Sequence, residues 1–164
     1  MCSAPDLGDV PKPELYHELA GQLRALIEGE TDRIANLANA AALIFHALSS
    51  LNWCGFYLLR EGELVLGPFQ GPPACVRIAL GRGVCGTAAA NRATLRVPEV
   101  EKFPGHIACD RASRSEIVVP LLGADGTLLG VLDLDSPETN RFDADDEIGL
   151  EALASILAAP LNRL

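Results

Sequence analysis

The chain has 164 residues, 49% of them hydrophobic and 21% charged, and its net charge is −9. This length fits one domain, and the composition supports a full core and excludes long disorder. The acidic balance excludes nucleic acid as a natural partner, because no basic cluster offsets the repulsion of phosphates. The apolar runs are far shorter than the roughly 18 residues of a membrane span. The N-terminus also lacks the pattern of a secretory signal, so we expect a cytoplasmic protein with no membrane partner.

Proline, glycine and capping residues mark the first two helices. Residues 1–12 contain proline and glycine with few apolar anchors, which predicts an irregular lead-in. Pro13 suits the first turn of a helix, and Gly29 suits its end. Thr31 or Asp32 can cap a second helix, which is rich in alanine and therefore suited to close packing on a sheet or on a partner chain.

The rest of the chain reads mainly as short strands. Two Pro/Gly groups, Gly67-Pro68 and Gly71-Pro72-Pro73, predict irregular chain, and Pro120 indicates an edge position or a bulge. A glycine loop leads into a short alanine-rich helix near residues 84–90, and Asp143 opens a last helix. Apolar or alternating runs predict strands at 52–59, 64–66, 75–80, 94–97, 116–122 and 128–135.

Together these elements predict an α+β domain. We expect a central, mainly antiparallel sheet of about six strands with helices packed on one face. The chain shows no internal repeat, no linker and no composition shift. Residues 1–164 are therefore expected to form a single domain.

Three of the five cysteines lie where a thiol can react. Cys75 opens a strand, Cys85 lies at a helix start whose dipole should lower its pKa, and Cys109 lies in the long polar segment 99–115, flanked by basic side chains. The odd count and the expected compartment argue against structural disulfides. These thiols predict a redox set. The alternative is that each is a small buried residue, as we expect for Cys54 in the middle of a strand.

Acidic residues lie close to these thiols in the predicted sheet. Asp133 and Asp135 are two apart in one strand, so their side chains should point to the same face. Glu116 begins another strand and can reach the same pocket if the two strands are neighbours. Like charges at this spacing repel unless a cationic ligand, a metal or a shared proton offsets them. The alternative is a solvent-facing strand end.

An aromatic pair offers apolar surface beside these groups. Trp53, the only tryptophan, either packs in the core or forms one wall of a slot for a ligand methyl group. Tyr57 adds a hydroxyl to that slot. No zinc-finger spacing and no EF-hand pattern occurs, so the sequence predicts no metal site.

Three segments of the chain resemble a known enzyme family. GRGVCGTAAA, HIACDRASRSEIVVPL and GVLDLDSP are similar to the free methionine-(R)-sulfoxide reductases, a catalytic branch of the GAF domain fold. The similarity extends from NWCGFYLL to the last helix. The resemblance implies reduction of free L-methionine (R)-sulfoxide, not of the residue within proteins, as repair under oxidative stress. It also implies no cofactor, and a homodimer for which the alanine-rich second helix would form the contact.

The resemblance also implies roles for the thiols. Cys109 is the implied nucleophile, which attacks the sulfoxide sulfur and becomes a sulfenic acid. Cys75 would condense with it to a disulfide, and thioredoxin would reduce that bond. Cys85 is the other candidate partner, and the division of roles among the three stays open.

The resemblance implies a substrate-binding role for the acids and aromatics. Glu116, Asp133 and Asp135 would hold the substrate ammonium and hydrogen-bond or protonate the sulfoxide oxygen. Trp53 would contact the methyl group, with Tyr57 beside it. Backbone N–H groups near Cys85 would bind the substrate carboxylate.

Two other functions compete with this one. The first is a noncatalytic GAF-type sensor that binds a small metabolite or reports redox state through a disulfide. The second is a metal-binding protein that uses Cys109, His106 and the acids.

Overall fold

A computed structural model describes residues 10–106 and 112–161. Cys109 and residues 1–9 of the predicted lead-in lie outside the described residues. The helices are α1 (Lys12–Ile27), α2 (Arg33–Ala47), α3 (Gly83–Asn91) and α4 (Ala144–Leu161), with a short 3-10 turn at Val100–Lys102. The strands are β1 (Trp53–Arg60), β2 (Glu63–Gln70), β3 (Arg77–Ala79), β4 (Leu95–Val97), β5 (Ser115–Leu122) and β6 (Leu128–Ser136).

The six strands form one sheet in the order β3-β2-β1-β6-β5-β4. Every neighbouring pair is antiparallel, which confirms the predicted sheet. Strand β6, the last strand in the sequence, lies between β1 and β5. The centre of the sheet therefore joins segments that are far apart in the sequence.

The helices divide between the two faces of the sheet. The three long helices, α1, α2 and α4, pack on one face, as predicted, against the inward side chains of β1, β5 and β6. The short helix α3 packs on the opposite face, where it buries a second apolar cluster with β1, β5 and β6. Since side chains alternate along a strand, each central strand contributes to both clusters.

Local sequence signals account for the helix ends. The Asp32 side chain accepts a hydrogen bond from the backbone N–H of Ala35 at 2.8 Å, which caps α2 as predicted. Helix α1 begins at Lys12, with Pro13 in its first turn, where the missing proline N–H removes no helical bond. Gly29 follows the end of α1 with a φ of +77°, a conformation that glycine adopts without strain.

The prediction that Gly67-Pro68 interrupts β2 is wrong. Strand β2 continues through both residues, and the pairing with β1 shifts register at this point. A bulge accommodates proline because the extra residue needs no ladder hydrogen bond. Pro120 lies in β5 beyond the residues that pair with the short edge strand β4, so its missing N–H costs no bond on that side.

A buried carboxylate joins the start of α1 to the start of α4. Asp146 accepts hydrogen bonds from Lys12 Nζ at 2.6 Å, Tyr16 Oη at 2.8 Å and Arg141 Nη1 at 3.2 Å. The backbone N–H of Asp143 donates to it at 3.0 Å. Two cations and two further donors therefore offset the burial of this charge.

None of the helices in the described ranges combines the length and hydropathy needed to cross a bilayer.

Candidate active site

The register of the central strands determines which side chains line the pocket on the α3 side of the sheet. Trp53 of β1 pairs with Asp135 of β6, which in turn pairs with Glu116 of β5. These three positions form a row across the middle of the sheet. Asp133 lies two residues from Asp135 along β6, and it lines the same pocket as Asp135 and Glu116. The two aspartates therefore share a face, while the leucines between and before them pack beneath the long helices.

Helix α3 brings a thiol to this row of acids. Cys85 lies in the first turn of α3 and is 4% exposed. Gly86 allows the helix to lie close to β3, because a Cβ at that position would overlap the carbonyl oxygen of Ala79. The small residues of this segment thus let Cys85 reach the carboxylates.

Cys85, Glu116 and Asp133 form a buried group that we call the acid–thiol cluster. The sulfur of Cys85 lies 3.9 Å from Oε1 of Glu116. One oxygen of each carboxylate and the sulfur all lie within 4.8 Å of one another. Glu116 and Asp133 are only 6% and 5% exposed, so solvent screens these groups poorly.

Burial raises the proton affinity of two members of this cluster, Asp133 and Cys85. Burial raises the pKa of Asp133 to about 6. Burial also raises the pKa of the Cys85 thiol well above its usual value, and the negative charges of Asp133 and Glu116 raise it further. The prediction that the α3 dipole lowers this pKa is therefore wrong, because desolvation and two nearby carboxylates outweigh a helix dipole.

His106, which lies in the segment before β5, is close to the acid–thiol cluster. Its Nε2 lies 4.0 Å from Oε2 of Glu116, and the residue lines the pocket. Burial lowers the pKa of His106, with Glu101 acting in the opposite direction. The imidazole is therefore predominantly neutral at about pH 7.

Trp53 both packs in the core and lines the pocket. Its ring is stacked with that of Phe69 at 5.3 Å and with that of Tyr57 at 6.0 Å between centroids. Its Nε1 donates to the carbonyl oxygen of Pro72 at 3.1 Å. These contacts fix the indole as a flat apolar wall, so the two roles considered for Trp53 are compatible.

Tyr57 connects the pocket to the segment that carries Cys75. The Tyr57 hydroxyl donates to the carbonyl oxygen of Cys75 at 3.0 Å. Pro73 and Ala74 line the pocket, and half-buried Cys75 follows them directly in the chain. The tyrosine thereby positions the chain that brings this thiol near the pocket.

The structure brings together most of the residues singled out in the sequence. Six of them line one pocket: Trp53, Tyr57, Cys85, Glu116, Asp133 and Asp135. Cys75 lies beside that pocket, Cys54 is buried on the opposite face as predicted, and Cys109 lies outside the described residues.

Two polar lining residues, Ser113 and Arg82, were missed by sequence reasoning. Ser113 lines the pocket, and its Oγ accepts a hydrogen bond from Nδ2 of Asn52 at 3.0 Å. No local pattern marks that serine. Arg82, the residue before α3, also lines the pocket and places a cation beside the helix N-terminus. Its position directly before a helix in a glycine-rich segment was a usable signal.

Comparisons with known proteins agree with this architecture. Residues 23–161 match the model of the GAF domain family. The chain is 57% identical to Protein YtsP of Bacillus subtilis (strain 168), over 92% of this chain and 93% of that protein. It is 52% identical to the free methionine-R-sulfoxide reductase of Escherichia coli (strain K12), over 89% of this chain and 88% of that protein.

A solved structure extends the comparison to the whole fold. The X-ray structure of free methionine-R-sulfoxide reductase from Neisseria meningitidis, in complex with its substrate, has a TM-score of 0.88 and 48% sequence identity. The match covers 96% of this chain and 94% of that one. The chain belongs to the GAF domain family, among the free methionine-R-sulfoxide reductases. The predicted family and fold class are thus confirmed, and the relatives that carry this name are oxidoreductases acting on sulfur.

Proposed function

We propose that this chain reduces free L-methionine (R)-sulfoxide to L-methionine, with thiols as the source of electrons. The observation that carries the proposal is the acid–thiol cluster beside the flat wall of Trp53. It offers a proton donor, a thiol and an apolar surface within one pocket. The similarity to reductases of this name, over nearly the whole chain, supports the same reaction.

Asp133 supplies the proton that the reaction needs. A sulfoxide sulfur is a poor electrophile until its oxygen is protonated, so a carboxyl that retains a proton near neutral pH is useful. Burial moves Asp133 towards this property by raising its pKa to about 6, which leaves roughly one carboxyl in ten protonated at about pH 7. Glu116, close to both Asp133 and Cys85, helps to hold the oxygen in place.

The pocket also offers partners for both termini of a free amino acid. Asp135 is half-buried at the pocket edge and attracts the ammonium group, together with Glu116. The carboxylate lies at the start of α3, where the first N–H groups lack helical acceptors and Arg82 adds a positive charge. A peptide-bound sulfoxide lacks both charges, and each buried polar group left unpaired costs about 1–3 kcal/mol.

Cys109 performs the attack. The raised pKa of Cys85 leaves little thiolate at neutral pH, which makes Cys85 a poor first nucleophile and favours another thiol. The Cys109 sulfur bonds to the protonated sulfoxide sulfur. Transfer of the oxygen to Cys109 then releases methionine, reduced by two electrons, and leaves a sulfenic acid. The assignment of Cys109 rests on its sequence motif.

A second thiol and an external reductant complete the cycle. Cys75 or Cys85 displaces the sulfenic oxygen as water and forms a disulfide with Cys109. The two thiols of thioredoxin reduce that disulfide and become oxidised in turn. We further propose a cytoplasmic homodimer of single-domain chains. The exposed side of α2, which carries Ile34 at 52% exposure, is the candidate contact. Size-exclusion chromatography with light scattering tests the dimer.

A stereospecific assay tests the proposal. Purified protein with dithiothreitol should convert free (R)-sulfoxide and leave both the (S) epimer and N-acetylated, C-amidated methionine sulfoxide unchanged. Absence of (R) turnover would exclude the reductase and favour a noncatalytic sensor. Cys109→Ser should abolish single-turnover methionine release, and retained release would assign the attack to another thiol. Replacing dithiothreitol with thioredoxin, thioredoxin reductase and NADPH tests the reductant.

A further inference from the structure

The acid–thiol cluster has the ligand set of a metal site as well as that of a reductase pocket. A thiol sulfur from Cys85 and one oxygen each from Glu116 and Asp133 lie within 4.8 Å of one another. Ligands bound to one zinc ion at about 2.0–2.3 Å in a tetrahedron lie within about 4 Å of each other. Small side-chain rotations would therefore bring all three atoms to bonding distance.

A second, independent observation points to a missing partner at this place. Oδ1 of Asp133 is buried and has no hydrogen-bond partner among the described residues. Asp133 is 5% exposed and faces the pocket. Buried carboxylate oxygens are rarely left without a donor or a cation, so this atom marks a position open to a cation or to a hydrogen-bond donor.

The identity and charge of the ligands select the class of cation. Binding of the ion displaces the proton of Cys85, and one thiolate and two carboxylates then bring three negative charges to a buried site, which strongly favours a divalent ion. The sulfur excludes the hard ions magnesium and calcium as natural occupants and favours zinc. The group supplies three protein ligands, so a water molecule would complete a tetrahedral site.

We propose that the acid–thiol cluster binds Zn²⁺ reversibly, and that the bound ion inhibits the enzyme. The ion would engage Glu116 and Asp133, the two carboxyl groups that the substrate otherwise contacts, so Zn²⁺ and the sulfoxide compete for one pocket. The binding step follows from the cluster alone, whereas the inhibition rests on the proposed function. Zinc would be a reversible inhibitor here, not a cofactor of the reaction.

Metal titration tests the binding step without any activity assay. Full-length protein, reduced with a phosphine and handled without oxygen, is titrated with Zn²⁺ by calorimetry and with Co²⁺ by absorbance. We expect one equivalent of Zn²⁺ and a thiolate-to-cobalt charge-transfer band. Cys85→Ala should abolish the band, and Asp133→Asn and Glu116→Gln should each weaken Zn²⁺ binding at least about tenfold.

Cys54→Ala is the matched control, because Cys54 is a second buried thiol on the opposite face of the sheet. It should keep the band and the affinity. Circular dichroism establishes whether each variant is folded. If Cys85→Ala does not fold, Asp133→Asn and Glu116→Gln still test the proposal. Absence of zinc binding, or unchanged affinity in both carboxyl variants, would overturn the proposal.

Single-turnover methionine release in zinc-buffered solution tests the inhibition. Release should fall as free Zn²⁺ rises, recover on addition of a chelator, and require more Zn²⁺ as the sulfoxide concentration increases. If zinc binds the cluster but release is unaffected, the inhibition is disproved. If no methionine is released even without zinc, the proposed function fails while cluster binding stands.

Discussion

The sulfur of Cys85 lies 3.9 Å from a carboxylate oxygen of Glu116, and both groups are buried. Asp133 completes the arrangement, with its own pKa raised by burial. A thiol in such surroundings is held in its protonated form, although it sits at the start of a helix. This relationship separates Cys85 from a conventional activated cysteine.

Cys85 should therefore react slowly with alkylating reagents. Because only the thiolate reacts, we expect iodoacetamide at about pH 7.5 to modify Cys85 at least about tenfold more slowly in the native protein than in urea. Asp133→Asn should speed the native reaction by removing a negative charge. Peptide mass spectrometry measures each site separately. Native modification of Cys85 as fast as in urea would contradict this account.

The raised pKa of Asp133 makes stability depend on pH in a defined direction. The native state binds this proton more tightly than the unfolded chain, whose aspartate pKa is about 3.9. The contribution is thus full below about pH 4 and is lost as pH rises through about 6. Asp133→Asn should remove this contribution. Between about pH 4.5 and about pH 8, the free energy of unfolding of the variant should therefore rise by about 1–3 kcal/mol relative to that of the parent.

Urea unfolding at about pH 4.5 and about pH 8 measures this difference. The exposed α1 residue Glu18 offers a control, and Glu18→Gln should track the parent at both pH values. Equal pH dependence in the parent and in Asp133→Asn would show that Asp133 does not carry the raised pKa.

Asp146 should be the most costly single carboxylate to remove. Asp146→Ala leaves Lys12 and Arg141 without their buried partner and Tyr16 without its acceptor. We expect a loss of about 3–5 kcal/mol in the free energy of unfolding. The matched control is Asp143→Asn, which also breaks an ion pair to Lys12 but at a side chain that is 56% exposed. It should cost less than about 1 kcal/mol. Equal losses would show that burial is not the deciding factor.

Two helical glycines should respond to alanine in opposite directions. A methyl group at Gly149 would overlap the Tyr16 ring, so Gly149→Ala should cost about 1–3 kcal/mol through overpacking. Gly21 in α1 has nothing within 4 Å of its Cβ position. Gly21→Ala should therefore gain about 0.5–1 kcal/mol from helix propensity. Thermal and urea unfolding measure both changes in stability. A Gly149→Ala variant that is more stable than the parent would contradict the close contact with Tyr16.

Trp53 should act on substrate binding more than on the chemical step. Trp53→Ala removes the flat wall proposed for the methyl group and should raise KM at least about tenfold with a smaller effect on kcat. Trp53→Phe retains an aromatic face and should restore most of the affinity. A fall in kcat with KM unchanged would instead place Trp53 in the chemical step.

Local patterns predicted much of the fold and part of the pocket. Period-two spacing placed Asp133 and Asp135 on one face, and the capping preference of Asp32 located the start of α2. These features depend only on neighbours along the chain. The position of β6 between β1 and β5 depends on strands that are distant in sequence, and no local signal specifies it.

The wrong expectations share one physical cause. Cys85 was assigned a lowered pKa from its place in a helix, but its pKa is set by burial and by two carboxylates from other strands. Pro68 was assigned to irregular chain, but a bulge against β1 lets the strand continue. In both cases tertiary surroundings outweighed a correct local tendency.

The alternation of side chains across the sheet has an evolutionary consequence. One set of strand residues packs beneath the long helices. The interleaved set packs against α3 and includes the residues that line the candidate pocket. Mutational drift can therefore erase or replace a reaction through substitutions on one side alone. Descendants of such a gene keep a foldable scaffold even after its original task has disappeared.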